Sequence, residues 1–198
     1  THSPELIGYV DMTSGAVKTI AVPDHPSMGK GPGGPIPYEI RVAPDGRLWG
    51  GELQGNRLFA YAPATGKLTM YDMPMAHSGP RRFDIDAQGI VWVPAYAANA
   101  LFRLDAATGG ITDIPLPVKD AVPYVVRVDP RNGALWIGTS AADALAFVTF
   151  AHGVGNLLVA RPDVLQEHRR AIGGRAERLG REVEVHRAGN RVGDDQRR

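Results

Sequence analysis

A repeat of about 43 residues limits what this chain can fold into more than any other feature. The segment "PYEIRVAPDGRLWGGE" at 37–52 returns as "PRRFDIDAQGIVWVPA" at 80–95 and as "PYVVRVDPRNGALWIGT" at 123–139. The opening prolines Pro37, Pro80 and Pro123 are 43 and 43 residues apart, and Trp49, Trp92 and Trp136 are 43 and 44 apart. A second landmark, a Thr/Ser-Gly turn followed by a strand and a proline, reads "TSGAVKTIAVP", "ATGKLTMYDMP" and "ATGGITDIPLP". Its glycines Gly15, Gly66 and Gly109 are 51 and 43 apart, and the longer gap holds a Gly/Pro-rich insertion at 24–37.

Within each unit, short alternating runs are broken by turn residues, which is the pattern of half-buried strands. In the first full unit the strands fall near 38–43, 47–51, 57–62 and 67–73. Four short strands per 43-residue unit make one β-propeller blade. The fold class expected is therefore all-β, a propeller of four-stranded antiparallel blades near 5–23, 37–74, 80–117 and 123–150. Trp49, Trp92 and Trp136 are expected to fill the space between neighbouring blades, where a strand-centre indole buries a large area.

Composition sharpens the domain limits. Residues 1–150 carry 12 Lys and Arg, 14 Asp and Glu, and all 14 aromatic residues. Residues 151–198 carry ten Arg, no Lys, seven acids and no repeat. They read as an atypical Arg-rich tail outside the propeller, disordered or weakly helical over 163–179, of the kind a frame-shifted end produces. A nucleic-acid-binding tail is set aside, because the acids offset the charge and no aromatic side chain is available for stacking. With 43% hydrophobic residues and a net charge of +1, the chain reads as globular. No apolar run approaches the roughly 18 residues that span a membrane. The absence of cysteine removes disulfides and thiolate metal sites. A first residue of Thr1 leaves room for a removed leader or a longer protein.

The meander fixes which residues share an end. If the top is where each first strand begins, it also gathers the loop after each second strand. That places Tyr38, Glu39, Glu52, Asn56, His77, Arg81, Arg82, Tyr96, Asn99, Tyr124 and Thr139 on one rim. Chemistry is expected there, because the bottom holds short turns. Arg81 and Arg82 suit an anionic group held bidentately. Arg41, Asp84 and Arg127 share a position in consecutive blades and read as an ion-pair arc, either structural or substrate-binding. The "GKGPGGP" segment at 29–35 lacks phosphate-loop spacing and reads as a rim loop. His2, His25, His152, His168 and His186 have no metal-ligand spacing around them.

The recurrence of Pro, PDG, LW, N and TG in phase resembles the blade repeat of the streptogramin B lyases, also called virginiamycin B lyases, over roughly residues 5–148. The resemblance implies a seven-bladed propeller, of which about three and a half blades are present. It implies opening of a cyclic depsipeptide by elimination at the ester, with Mg²⁺ polarising the substrate and a His acting as acid or base beside a Glu. Glu52 matches the Glu position, where the next blades carry Ala95 and Thr139. The His position holds Tyr38, Arg81 and Tyr124, and His77 stands nearby as a substitute base. The catalytic candidates are thus Glu52 and His77, with Tyr38, Glu39, Arg81, Arg82, Tyr96 and Tyr124 as substrate-binding residues and no metal ligands assigned.

Three functions are carried forward. The first is a lyase-like enzyme that uses Mg²⁺, inactive in this truncated form. The second is a non-catalytic propeller that binds a peptide, glycan or protein on its top face. The third is a metal-dependent lactonase-type hydrolase. The expected partner is a small cyclic peptide or other small molecule, or a protein or glycan on the rim. No nucleic acid or membrane is expected. A monomer is expected at full length, with a lean to the periplasm or exterior from the resemblance.

Overall fold

The computed structural model describes residues 6–28, 34–116 and 119–141, and the backbone alone of 145–151, 154–160 and 186–187. Every regular element among them is a β-strand. A two-stranded sheet pairs β1 (Leu6–Val10) with β2 (Val17–Ala21). The first full blade runs β3 (Pro37–Val42), β4 (Leu48–Glu52), β5 (Arg57–Ala62) and β6 (Lys67–Asp72) in antiparallel order. The second runs β7 (Asp84–Ile85), β8 (Ile90–Ala95), β9 (Ala100–Asp105) and β10 (Ile111–Pro115). The third begins with β11 (Pro123–Val128), β12 (Leu135–Thr139) and β13 (Leu145–Ala151). These are the all-β, four-stranded blades that the repeat predicts.

The third sheet continues past residue 150. Strand β14 (Val154–Ala160) pairs antiparallel with β13 over seven residues, and β15 (His186–Arg187) adds a short edge. The sequence boundary at 150 therefore falls inside β13. The "VGNLLVA" segment lacks the turn-Gly, strand, Pro signature, yet it has the apolar content a strand needs. The remainder of the expected tail lies outside the described residues. No helix long and apolar enough to cross a membrane occurs among the described residues.

Three apolar clusters lie between sheets, as a propeller requires. Ile7 and Val22 meet Phe59 of the first full blade. Trp49, Leu58 and Met73 meet Phe83, Val93 and Phe102 of the second. Trp92 and Leu101 meet Val126, Leu135 and Ile137 of the third. Trp49 is fully buried and stacks on Tyr71 with ring centroids 5.0 Å apart, so the predicted inter-blade role holds for it and for Trp92. Trp136 is 38% exposed, because no described sheet covers that face of the third blade. The Trp92 indole N–H donates to Asp86 at 2.8 Å. Ala43 holds the matching place in the preceding blade, and the buried Trp49 Nε1 has no hydrogen-bond partner among the described residues.

The innermost strands also bond directly. Arg82 N donates to Tyr124 O at 3.1 Å and Val126 N donates to Arg82 O at 3.0 Å, a parallel bridge between neighbouring blades. This bridge fixes the spacing of the rim residues that follow each opening proline.

Candidate functional site

Each first strand carries an irregularity just after its proline. The register shifts between Pro37 and Glu39 in β3, and between Pro123 and Val125 in β11. In the second blade the bridge of Pro80 with Ala95 and the pairing of Asp84 with Trp92 bracket the same shift. A bulge inserts one residue and re-aims its side chain. The bulged positions are Tyr38, Arg81 and Tyr124, the three residues that stand in phase at the family's His position.

The bulges bring these side chains together above the inner strands. The Tyr38 and Tyr124 hydroxyls are hydrogen-bonded at 2.5 Å although 86 residues separate them. Arg82 lies 5.9 Å from the Tyr38 ring and 5.8 Å from the Tyr124 ring. The Arg81 guanidinium sits 4.4 Å over the ring of Tyr96, and Tyr96 meets Tyr124 edge to face at 6.1 Å. Arg81 also donates to Gly79 O at 3.3 Å. Of the eight predicted site residues, Tyr38, Arg81, Arg82, Tyr96 and Tyr124 thus form one continuous cluster. The bond from Tyr124 lowers the pKa of the Tyr38 hydroxyl from the usual phenol value, against partial burial, and Arg82 and Arg81 add to the effect. The same bond raises the pKa of Tyr124.

Glu39 follows Tyr38 on β3 and enters an ion-pair arc. Its carboxylate is 2.6 Å from Arg41 and 3.6 Å from Arg127, while Arg41 is 3.6 Å from Asp84. Asp84 also accepts from Val128 N at 2.9 Å, and Arg127 donates to Phe83 O at 3.2 Å. The predicted arc of Arg41, Asp84 and Arg127 therefore exists, with Glu39 as a fourth member, and it ties three inner strands together.

Glu52 is fully buried, and both of its oxygens accept from Arg57, at 2.8 Å from Nε and 2.7 Å from Nη2. Arg57 also donates to Pro23 O at 3.2 Å, so the pair fastens the segment after β2 to the sheet. A side chain at Gly55 would clash here, since an added Cβ would lie within 2.1 Å of Glu52 Oε2. The carboxylate is thus enclosed and bidentately paired, an arrangement whose loss on one side is costly. His77, the second catalytic candidate, is exposed in a loop at φ 54° and makes no hydrogen bond or ion pair among the described residues.

Two features escape sequence reasoning. His25 bonds Gly55 O at 2.9 Å through Nε2 and receives Ser27 N at 3.1 Å on Nδ1, so it braces the insertion instead of binding metal. Asn56 at φ 56° and Asn99 at φ 51° grip the loop that precedes the next blade. Asn56 donates to Met75 O and accepts from Ser78 and Gly79, and Asn99 accepts from Val122 N. The in-phase Asn of the repeat is the signal that could have revealed this.

Among the described residues no three His, Asp or Glu side chains group to hold a metal ion. Glu39 and Glu52 are already engaged by arginines.

No family model matches the sequence, and no curated protein matches it. Solved structures do. Virginiamycin B lyase from Staphylococcus aureus superposes with a TM-score of 0.66 at 23% identity, over 79% of this chain and 48% of the other. The chain has the fold of that propeller. A catalytically inactive variant of the same enzyme, solved with quinupristin, gives a TM-score of 0.63 at 19% identity over 78% and 55%. A candidate 6-phosphogluconolactonase from Bacteroides fragilis gives 0.54 at 16% over 80% and 57%. The chain thus spans about half the length of the virginiamycin B lyase it matches.

Proposed function

We propose that the top rim binds a small cyclic depsipeptide of the streptogramin B type, as part of a lyase-like propeller that opens the ring by elimination. The observation that carries this reading is the convergence of Tyr38, Arg81, Arg82, Tyr96 and Tyr124 from three blades. Aromatic faces suit the rings of such a ligand, and the guanidinium donors suit its carbonyl oxygens and the carboxylate that ring opening releases. The fold likeness to virginiamycin B lyase supports the substrate class. Mg²⁺ belongs to this proposal only as the group the resemblance implies. The described residues do not fit it, and no step is assigned to it.

A second reading keeps the same rim without catalysis, as a binder of peptide, glycan or protein. The commitment of Glu52 to Arg57 favours it. The lactonase-type reading needs convergent free carboxylates, and the rim carboxylates described here are paired.

Calorimetric titration of the chain with quinupristin tests the binding claim. Saturable binding, weakened about tenfold by Arg81→Ala, is expected from the loss of a charged donor. No binding would remove the proposal. Mass spectrometry of the incubated ligand, with and without EDTA, separates the chemistries. Elimination gives a linear isomer of unchanged mass, told from the intact ring by its retention time and fragmentation; hydrolysis adds a water, and an intact ring leaves the binding reading ahead.

A further inference from the structure

The hydroxyls of Tyr38 and Tyr124 are hydrogen-bonded to each other, so two blades meet through a pair of phenols. Both residues sit at bulges, so the backbone holds them in this position from two different blades. Arg82 stands against both rings. Of the other bases expected at the rim, Glu52 is buried on Arg57 and Glu39 is held by Arg41 and Arg127, while His77 is exposed in its loop and bonds to none of the cluster among the described residues.

We infer that Tyr38 is the proton-transfer group of this rim, with Tyr124 and Arg82 as its positioning residues. The inference deepens the lyase reading and rests on it for the identity of the substrate. The groups facing Tyr38 are Tyr124, Arg82 and Arg81, with Glu39 beside it on β3 and Tyr96 packed on Tyr124. Two cations and one hydroxyl donor favour its anion, and the nearest carboxylate is offset by two arginines. The lowered pKa of Tyr38 agrees with this arrangement.

The step balances without a co-reactant. The Tyr38 phenolate takes the proton on the carbon between the amide nitrogen and the carbonyl of the esterified residue. The C–H electron pair becomes a carbon–carbon double bond to the β-carbon. The β-carbon–oxygen bond breaks, and the ester leaves as a carboxylate carrying that bond's electrons. Tyr38 then returns its proton to solvent. Arg81 and Arg82 stand where negative charge develops.

Tyrosinate absorbance during alkaline titration tests the assignment. One of the six tyrosines should ionise before the others, vanish in Tyr38→Phe, and move to higher pH in Arg82→Gln and Tyr124→Phe. Circular dichroism checks that each variant retains its strands. Six tyrosines ionising together would overturn the assignment. With quinupristin, Tyr38→Phe should open the ring about a hundredfold more slowly or less at saturating ligand. A Tyr38→Phe variant with full rate and an unchanged pH profile also overturns it. Early ionisation of Tyr38 without any binding of quinupristin by the unaltered chain overturns the streptogramin reading and upholds Tyr38 as the ionising group.

Discussion

The two ends of the propeller solve the same problem in opposite ways. At the bottom, the chain reverses through Gly46, Gly66, Gly89 and Gly133, all at positive φ and with open space where a Cβ would stand. At the top, left-handed positions are filled by Ile36, Asn56, His77, Asn99, Asp120 and Val122. Ile36, Gly79 and Val122 each precede an opening proline, and His77 and Asp120 are likewise in phase. β-Branched residues at positive φ are outliers that persist only where the surroundings over-determine them. Here the surroundings are backbone bonds such as Leu53 N to Ile36 O and Ser140 N to Val122 O, together with the Asn56 and Asn99 grips. The bottom turns only reverse the chain, whereas the top loops hold strain in order to present side chains. That contrast agrees with the proposal that the top is the binding face.

The largest effect that sharpens this contrast is at the two Arg–carboxylate pairs. Glu52→Ala should lower unfolding stability by about 3–5 kcal/mol, because it leaves Arg57 charged and buried. Asp45→Ala, which removes the exposed bottom pair with Arg47 at 2.6 Å, should cost at most about 1 kcal/mol. Urea denaturation of both variants checks the difference, and equal losses would break the comparison. Next in size, Asn56→Ala should cost about 1–3 kcal/mol and speed amide exchange at Gly79, whose N–H loses its acceptor along with the Ser78 hydroxyl.

Smaller changes of opposite sign are expected at single backbone positions. Val122→Gly should stabilise by about 1 kcal/mol, because glycine accepts φ 52° without the Cβ penalty. Gly46→Ala should destabilise by about 1 kcal/mol at φ 80° for the converse reason. Thermal melts of the pair give the signs directly. The smallest effect concerns Asp129, whose pKa the Arg131 side chain and backbone lower to about 2. Its folded pKa is depressed, so its contribution is complete above the ordinary carboxylate range and is lost as pH falls toward 2. The stability gap between the unaltered chain and Asp129→Asn should therefore close on acidification from about pH 5.

The architecture was readable from the sequence because the 43-residue period, the turn glycines and the Trp strands repeat in phase. The first full blade's predicted strands lie within two residues of β3 to β6 at each end. The rim was readable for the same reason: a meander puts every first-strand start at one end, and five of the eight predicted site residues meet there. The burial of Glu52 was not readable because its environment depends on a partner across a hairpin and on Pro23, from a segment outside the blade. The bulges that aim Tyr38 and Tyr124 leave no mark in composition, since each is one additional residue in an otherwise regular strand. Strand β14 was missed because it lacks the punctuation that marked the earlier strands.

Amide exchange with and without quinupristin tests the central claim, that the strained top loops are the working face, most directly. The account predicts ligand-induced protection at 76–82 and 120–124, with the bottom turns at 43–46, 86–89 and 129–133 unchanged. Protection at the bottom turns alone, or none at either end under saturating ligand, would contradict it.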